Sequence, residues 1–161
     1  MTIIASIRSR IRALVLLLVA SVAIGTHAHA ADEWLIKYDE AIAAAKKSGR
    51  PILADFTGSD WCGWCIRLKQ EVFDTKDFKA WAAENAILLE LDFPRAKPQD
   101  AAIKAKNREL AQAHGIQGYP TILILDADGK KIGELGYMPG GPKTWIAEFV
   151  KQYKAAAPDK K

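Results

Sequence analysis

The sequence predicts an α/β fold in which a mixed sheet of four to five strands is flanked by helices on both faces. Segments with strand character alternate with segments whose apolar residues recur every three or four positions, in the order αβαβαββα. The last two strands are joined by residues 126–129 (DADG), a hairpin sequence that adds an antiparallel edge. The chain has 161 residues, of which 50% are hydrophobic, and we expect one globular domain over residues 31–161.

Each element is predicted from apolar periodicity and from the residues that begin or end it. Residues 31–37 predict either a short edge strand or the lead-in to the first helix. Asp74 or Asp77 is predicted to cap the third helical segment, and residues 155–161 are expected to be frayed. The predicted helices cover 38–48, 63–73, a segment ending at Asn85, 99–113, and a last helix opened by Pro142. The predicted strands cover 52–57, 86–93, 121–125 and 131–135.

Residues 1–30 have the composition of a signal peptide that is cleaved after Ala30. Residues 1–12 are basic and contain no acid, residues 13–25 are apolar, and residues 28–30 (AHA) place small residues at the two positions that a signal peptidase reads. The apolar run is short for a membrane span, which needs roughly twenty residues. An uncleaved N-terminal anchor is the alternative, and it would leave the domain in the same compartment. We therefore expect an exported domain.

Charge gives no support for a nucleic-acid partner. The net charge of +4 includes Arg8, Arg10 and Arg12 of the predicted signal peptide. Without these three arginines, 20 basic and 19 acidic side chains remain, so the exported domain is nearly neutral. An anionic membrane surface is equally unsupported.

The chemistry of the chain is predicted at its only two cysteines, Cys62 and Cys65. They stand two residues apart where a predicted strand leads into a helix. The N-terminal dipole of that helix stabilises a thiolate on Cys62. Cys65 lies one turn later, close enough to attack a mixed disulfide formed by Cys62. The alternative is a purely structural disulfide, but a bridge that encloses only two residues removes little chain entropy.

The same residues argue against a metal or a covalent haem. A metal site needs more ligands than two thiols and His114, the one histidine outside the predicted signal peptide. A covalent haem needs a histidine directly after Cys65, where Ile66 stands. We therefore expect no metal and no cofactor.

Two motifs resemble the signatures of the thioredoxin superfamily. Residues 61–65 (WCGWC) are similar to its WCxxC, and residues 115–121 (GIQGYPT) are similar to its second signature, a proline before a strand. The resemblance extends over roughly residues 34–153 and implies a thioredoxin fold. With the predicted signal peptide, the chain is most similar to periplasmic bacterial thioredoxin-like thiol–disulfide oxidoreductases. The distance between the motifs is longer than usual, and we place the surplus around residues 94–106, as a hypothetical partner contact.

The resemblance implies three catalytic residues. Cys62 is the partly exposed nucleophile, and Cys65 is the buried resolving thiol of the redox-active pair. Asp55 corresponds to the buried carboxylate of the family and would take the proton from Cys65; the alternative is a solvated or capping Asp at the end of the strand. Thioredoxin places a lysine near that carboxylate on the next strand, and the corresponding position here is expected to be Leu88.

The resemblance also implies a substrate-binding groove. Pro120 would be the cis-proline of the family, with the backbone of Tyr119 turned outward toward an extended substrate. Trp61 is expected to pack beside the cysteines, and Trp64 to form an exposed apolar docking surface. Gly136 either lines the same groove or is a simple turn glycine.

The function implied by the resemblance is reduction of protein disulfides by a monomeric protein. A membrane electron transporter is the implied partner that would return electrons to it. The Gly-Trp pair between the cysteines lacks the histidine of strongly oxidising relatives, which favours the reducing direction. The alternatives are a disulfide oxidase or isomerase of folding proteins, a specialised carrier for cytochrome maturation or sulfur metabolism, and a non-catalytic peptide-binding module.

Overall fold

The computed structural model describes residues 34–156 and confirms the predicted α/β fold. The predicted signal peptide, residues 1–30, lies outside the described residues. The helices are α1 (Tyr38–Ser48), α2 (Gly63–Leu68), α3 (Lys76–Asn85), α4 (Ala101–Ala113) and α5 (Gly141–Ala156). The strands are β1 (Ile52–Thr57), β2 (Ile87–Asp92), β3 (Thr121–Leu125) and β4 (Lys131–Leu135). Within residues 34–156 no helix combines the length and the apolar character needed to cross a bilayer.

The four strands form one mixed sheet in the order β2-β1-β3-β4. β1 runs parallel to β2 and antiparallel to β3, and β4 completes the predicted antiparallel edge. Outside β2, Leu35 forms a single parallel bridge with Leu89, so the chain before α1 touches the sheet at one residue rather than as a full strand. β1 is therefore hydrogen-bonded on both sides, and all six of its residues are buried.

Alternate residues of the strands supply two apolar cores, one on each face of the sheet. One face is covered by α1 and α4. Its strand residues include Ile52, Ala54, Phe56, Leu89 and Leu123. The opposite face is covered by α2, α3 and α5, and its strand residues include Leu53, Leu88, Ile122 and Ile124. Because Asp55 is two residues after Leu53, its side chain lies on this second face, toward the helix that carries the cysteines.

The predicted helix over residues 63–73 has two parts. It is α-helical over α2 and continues as a π-helical turn, Lys69–Phe73, that buries Val72 and Phe73. The backbone N–H of Asp74 closes this turn on the carbonyl oxygen of Lys69, at 2.8 Å. The wider turn keeps both apolar side chains of its last residues in the core.

The predicted cap of α3 was wrong. Thr75 is the N-cap, because its backbone is extended and its hydroxyl accepts the N–H of Phe78 at 3.3 Å. Asp74 has a helical backbone conformation and its side chain pairs with Lys69, so it ends the preceding turn instead. Asp77 lies in the first turn of the helix.

The prediction of a frayed tail over residues 155–161 was wrong for its first two residues. Ala155 and Ala156 are still helical, and the remaining residues of the tail, 157–161, lie outside the described residues. The last helix begins at Gly141, one residue before the Pro142 that was predicted to open it. Its buried face, Trp145 and Phe149, packs on the aromatic core under the sheet.

Trp145 and Trp64 form a matched pair for testing this core. Trp145 is 0% exposed, and its ring centroid lies 5.3 Å from that of Phe73 and 5.9 Å from that of Phe149, whereas Trp64 is 55% exposed. We expect Trp145→Ala to lower the free energy of unfolding by about 3–5 kcal/mol, because it leaves a cavity among aromatic rings. Trp64→Ala should change it by less than about 0.5 kcal/mol. Urea denaturation of both variants measures this, and equal losses would contradict the assignment of the core.

Candidate active site

The two cysteines form a disulfide across the first turn of α2. Cys62 is the N-cap of the helix, with an extended backbone, and the two Cα atoms are 5.2 Å apart. The N–H of Cys65 donates to the Sγ of Cys62 at 3.3 Å, and the N–H of Cys62 donates to the carbonyl oxygen of Gly58 at 2.9 Å. A sulfur at this position therefore faces the donor end of a helix, where a thiolate is stabilised.

Both cysteines are buried in this oxidised state. Cys65 is 4% exposed, as predicted. The expectation that Cys62 is partly exposed was wrong, because it is only 7% exposed. The two cysteines, bonded across the first turn of α2, are therefore both nearly covered in this state.

Asp55 is buried beneath the cysteines and lines the same cleft as Cys65. It is 7% exposed, and its Oδ1 has no hydrogen-bond partner within residues 34–156. Burial, together with the nearby carboxylates of Glu90 and Asp92, raises the pKa of Asp55 to about 8. This geometry is that of a buried acid, and it disagrees with the alternative of a solvated or capping Asp.

The expectation for the neighbouring strand was wrong. Leu88 of β2 is level with Leu53, whereas Glu90 is level with Asp55. The residue level with Asp55 on the neighbouring strand is therefore a second acid, Glu90, and not Leu88. Sequence reasoning missed Glu90 because the level of two parallel strands depends on their pairing, and a shift of two residues keeps the same alternation of faces.

Trp61, the residue before Cys62, makes contacts on three sides. Its Nε1–H donates to the carbonyl oxygen of Phe93 at 2.8 Å, and its ring meets the ring of Tyr119 edge-on at 5.8 Å. The guanidinium of Arg95 lies 3.7 Å from its ring centroid. A Cβ on Gly58 would lie 2.5 Å from the same ring, so the turn before the cysteines has room only for glycine.

Residues 95–97, which belong to the surplus segment over residues 94–106, are hydrogen-bonded to the turn just before Cys62. The carboxylate of Asp60 accepts hydrogen bonds from the N–H groups of residues 95–97 at 2.7–3.0 Å. These hydrogen bonds, of which that from Arg95 has the largest effect, lower the pKa of Asp60 to about 2. The N–H and hydroxyl of Ser59 donate to the carboxylate of Asp92 at 2.9 and 2.6 Å. Sequence reasoning missed these pairings, since the partners are more than thirty residues apart. The rest of the surplus, from Ala101, belongs to α4.

The second predicted motif, residues 115–121, ends at Thr121, the first residue of β3. The peptide bond between Tyr119 and Pro120 is cis. A Cβ on Gly136 would lie 3.5 Å from the carbonyl oxygen of Pro120, so these two residues are neighbours. The carbonyl oxygen of Gly136 also accepts the Nε1–H of Trp145 at 3.1 Å, which ties this turn to the core.

Trp64 belongs to an exposed cluster that sequence reasoning described only in part. Its ring centroid lies 5.0 Å from that of Tyr137, and the guanidinium of Arg67 lies within 6 Å of both rings. Glu71 accepts the N–H of Arg67 at 2.7 Å and the hydroxyl of Tyr137 at 2.8 Å. The result is an apolar surface with a fixed cation, directly beside the cysteines along α2.

In the part of the chain from residue 34 to 156, no group of three or more His, Cys, Asp or Glu side chains is arranged to hold a metal ion. The expectation that the protein needs no cofactor stays a prediction.

Comparison with known proteins agrees with this site. The model of the thioredoxin-like domain family matches residues 38–151. The chain is 34% identical over 117 residues to the disulfide bond reductase DsbH of Chlamydia pneumoniae, covering 73% of this chain and 70% of that protein. It is 31% identical over 104 residues to the thiol:disulfide interchange protein DsbD of Vibrio vulnificus, covering 63% of this chain and only 16% of DsbD. A solved structure of a DsbH oxidoreductase superposes with a TM-score of 0.69 at 34% identity, over 80% of this chain and 85% of that one.

Burial of Asp55 predicts a stability that depends on pH. Between about pH 4, where an unfolded Asp has ionised, and about pH 8 the native state holds one proton more than the unfolded chain. The free energy of unfolding should therefore fall as pH rises through this range, by at most about 1.4 kcal/mol per pH unit for this group. Asp55→Asn should flatten the slope and stabilise the protein at pH 7.

Urea denaturation of the oxidised protein at pH 5, 6, 7 and 8 measures the slope. Asp60→Asn is the matched control: the pKa of Asp60 is lowered to about 2, so this carboxylate is ionised throughout the range and its loss should leave the slope unchanged. A slope in Asp55→Asn equal to that of the unaltered protein would contradict a protonated Asp55.

Proposed function

The chain belongs to the thioredoxin-like family and is a thiol–disulfide oxidoreductase; from this premise we propose that it is exported and reduces protein disulfides through Cys62 and Cys65. One observation carries the proposal: the two cysteines are bonded across the first turn of a helix, above a buried carboxyl group that lines the same cleft as Cys65. A structural bridge has no need of a buried acid, whereas a dithiol that gains and loses a proton in each cycle does.

The cycle begins with the thiolate of Cys62. The thiolate attacks one sulfur of a substrate disulfide, forms a mixed disulfide and releases the other substrate sulfur as a thiolate. Cys65 then loses its proton and attacks the Sγ of Cys62, which releases the second substrate thiolate and leaves the Cys62–Cys65 disulfide. Two electrons pass from the protein to the substrate. The helix N-terminus that faces Cys62 supports the first step.

Asp55 is proposed to take the proton that Cys65 loses. A pKa of about 8 keeps Asp55 protonated at neutral pH in the oxidised state. When a reductant opens the disulfide, this proton passes to the departing sulfur of Cys65 and leaves a carboxylate. The carboxylate accepts the proton back when Cys65 resolves the next mixed disulfide, and its pKa is close to that of a thiol, as efficient transfer requires.

The substrate is proposed to bind around the cysteines in an extended conformation. The backbone of Tyr119, with Pro120 and the neighbouring Gly136, would form one side of the groove. Trp61, held by Phe93, would form another, and the exposed face of Trp64 would contact apolar substrate residues. Because Cys62 is nearly covered, contacts on both sides of the disulfide are needed to align a partner sulfur with it.

The proposed setting is the periplasm, where a monomeric reductase needs a supply of electrons. The sequence of residues 1–30 supports export, and the near-neutral charge of the remaining chain gives nucleic acid no attraction. A membrane electron transporter is the proposed partner, since an oxidising compartment has no thiol pool to reduce the disulfide. The similarity to a protein named as a disulfide bond reductase favours this direction over a disulfide oxidase or isomerase.

Replacement of either cysteine separates the two steps of the cycle. Cys62→Ser should abolish reduction of insulin disulfides, because no nucleophile remains to attack. Cys65→Ser should also stop turnover, but it should accumulate a mixed disulfide between Cys62 and a substrate peptide, visible by mass spectrometry. If both variants reduce insulin at the unaltered rate, the catalytic reading is wrong. If the double variant still binds its partner with full biological activity, a non-catalytic peptide-binding module is the better reading.

The reduction potential decides the direction of electron flow. Equilibration of the Cys62–Cys65 pair with glutathione buffers should give a value near that of thioredoxin, about −270 mV. Such a value means a reductant that depends on a membrane electron supply. A value near that of a strong oxidant, about −120 mV, would make disulfide donation the better proposal.

A further inference from the structure

A cleft of about 380 Å³ opens beside the cysteines and reaches the buried carboxyl group of Asp55. Cys65 lines its inner part, and the π-helical turn and the loop after β2 supply its rim. The cleft therefore joins the resolving thiol, its proposed proton acceptor and the solvent. The titratable and charged side chains that line it are Asp55, Cys65, Lys69, Asp74, Glu90, Asp92 and Lys97.

Glu90 lines the same cleft as Asp55 and is the less buried of the two. The two residues are level on neighbouring parallel strands, so their side chains lie on the same face of the sheet. Strands paired in this way are about 4.8 Å apart, which brings the two carboxyl groups within reach of each other or of one bridging water. Asp55 is buried, whereas Glu90 is half-buried and has access to the open part of the cleft.

The other carboxylates of the cleft are already engaged. Asp92 accepts two hydrogen bonds from Ser59, and Asp74 pairs with Lys69. Within residues 34–156 the carboxylate of Glu90 makes no hydrogen bond of this kind, so it is free to bind and release a proton. Burial and the charge of Asp92 raise the pKa of Glu90, while Lys69 and Lys97 act in the opposite direction.

We propose that Glu90 carries protons between Asp55 and the solvent during the redox cycle. The proposal rests on the proposed function, in which Asp55 exchanges a proton with Cys65. Near pH 8 some oxidised molecules carry an ionised Asp55. In these molecules Glu90 takes a proton from water and passes it to Asp55, so that Asp55 can protonate the departing sulfur of Cys65. In the reverse direction the Asp55 carboxyl group passes a proton to the Glu90 carboxylate, which releases it to water. No electrons move in these transfers.

At the position level with Asp55, a carboxylate suits proton transfer better than a lysine would. A lysine next to Asp55 would remain charged near neutral pH, because its ordinary pKa is about 10.4, and would hold Asp55 ionised. A partly buried Glu has a pKa closer to neutrality, so it can both accept and release a proton in each cycle. Glu90 can therefore move a proton, whereas a lysine at this position would be a fixed charge.

The experiment is carbon-13 NMR of the Asp carboxyl groups in the full oxidised protein, titrated from pH 6 to 9 in low buffer. In the unaltered protein rapid proton exchange should give one averaged resonance for Asp55 at each pH. In Glu90→Gln exchange should slow at least about tenfold, which separates protonated and ionised Asp55 into two resonances near the midpoint. Added imidazole, which is small enough for the cleft, should merge them again. Asp74→Asn, which removes another carboxylate from the rim, is the control and should keep the averaged resonance.

Stopped-flow reduction of the same proteins by dithiothreitol gives the second readout. Glu90→Gln should be slower in low buffer, should show a larger rate difference between water and D₂O, and should recover with imidazole. An averaged Asp55 resonance in Glu90→Gln, or a loss of rate that imidazole does not restore, would overturn the role of Glu90. If Asp55→Asn itself is reduced and reoxidised at the unaltered rate, the failure lies with Asp55 in the proposed function rather than with Glu90.

Discussion

The pairing of β1 on both of its edges is the constraint on which the rest of the structure depends. β2 and β3 hydrogen-bond to its two sides, and both faces are covered, so all six residues of the strand are buried. This pairing fixes the position of the end of β1. The turn that follows the strand places Cys62 at the N-terminus of α2. The same strand fixes Asp55 on the face below that helix. The sulfur chemistry and the acid beneath it are thus positioned by one element.

A second layer of contacts holds the turn between β1 and α2. Asp60 binds three backbone N–H groups of the loop after β2, and Trp61 donates to the carbonyl oxygen of Phe93 and stacks under Arg95. These bonds join segments that are more than thirty residues apart in the chain. These bonds restrict the movement of the residues immediately before Cys62, where small displacements would change the approach of a partner sulfur. The loop over residues 95–97 is therefore part of the site.

Electrostatics beneath the cysteines differ from what a lysine at the neighbouring position would produce. Asp55, Glu90 and Asp92 face a common cleft, and the nearest cations, Lys69 and Lys97, lie on its rim. Because burial, and to a smaller extent the neighbouring like charges, disfavour ionisation, the most buried of the three acids stays neutral near pH 7. A neutral acid can donate a proton to a departing thiolate, which an ionised carboxylate cannot. This arrangement links the burial of one carboxyl group to the redox state of the disulfide above it.

By itself the sequence determined the elements and the chemistry, since both depend on residues that are close together in the chain. The periods of apolar residues located the helices and strands to within a few residues, and the spacing of Cys62 and Cys65 identified the disulfide. The tertiary structure decided which distant residues meet. That Glu90 rather than Leu88 is level with Asp55, that Asp60 binds residues 95–97, and that Cys62 is nearly covered all follow from strand pairing and loop packing. Such contacts leave no periodic pattern in the chain, because the free energy that selects them comes from burial and hydrogen bonding of the whole fold.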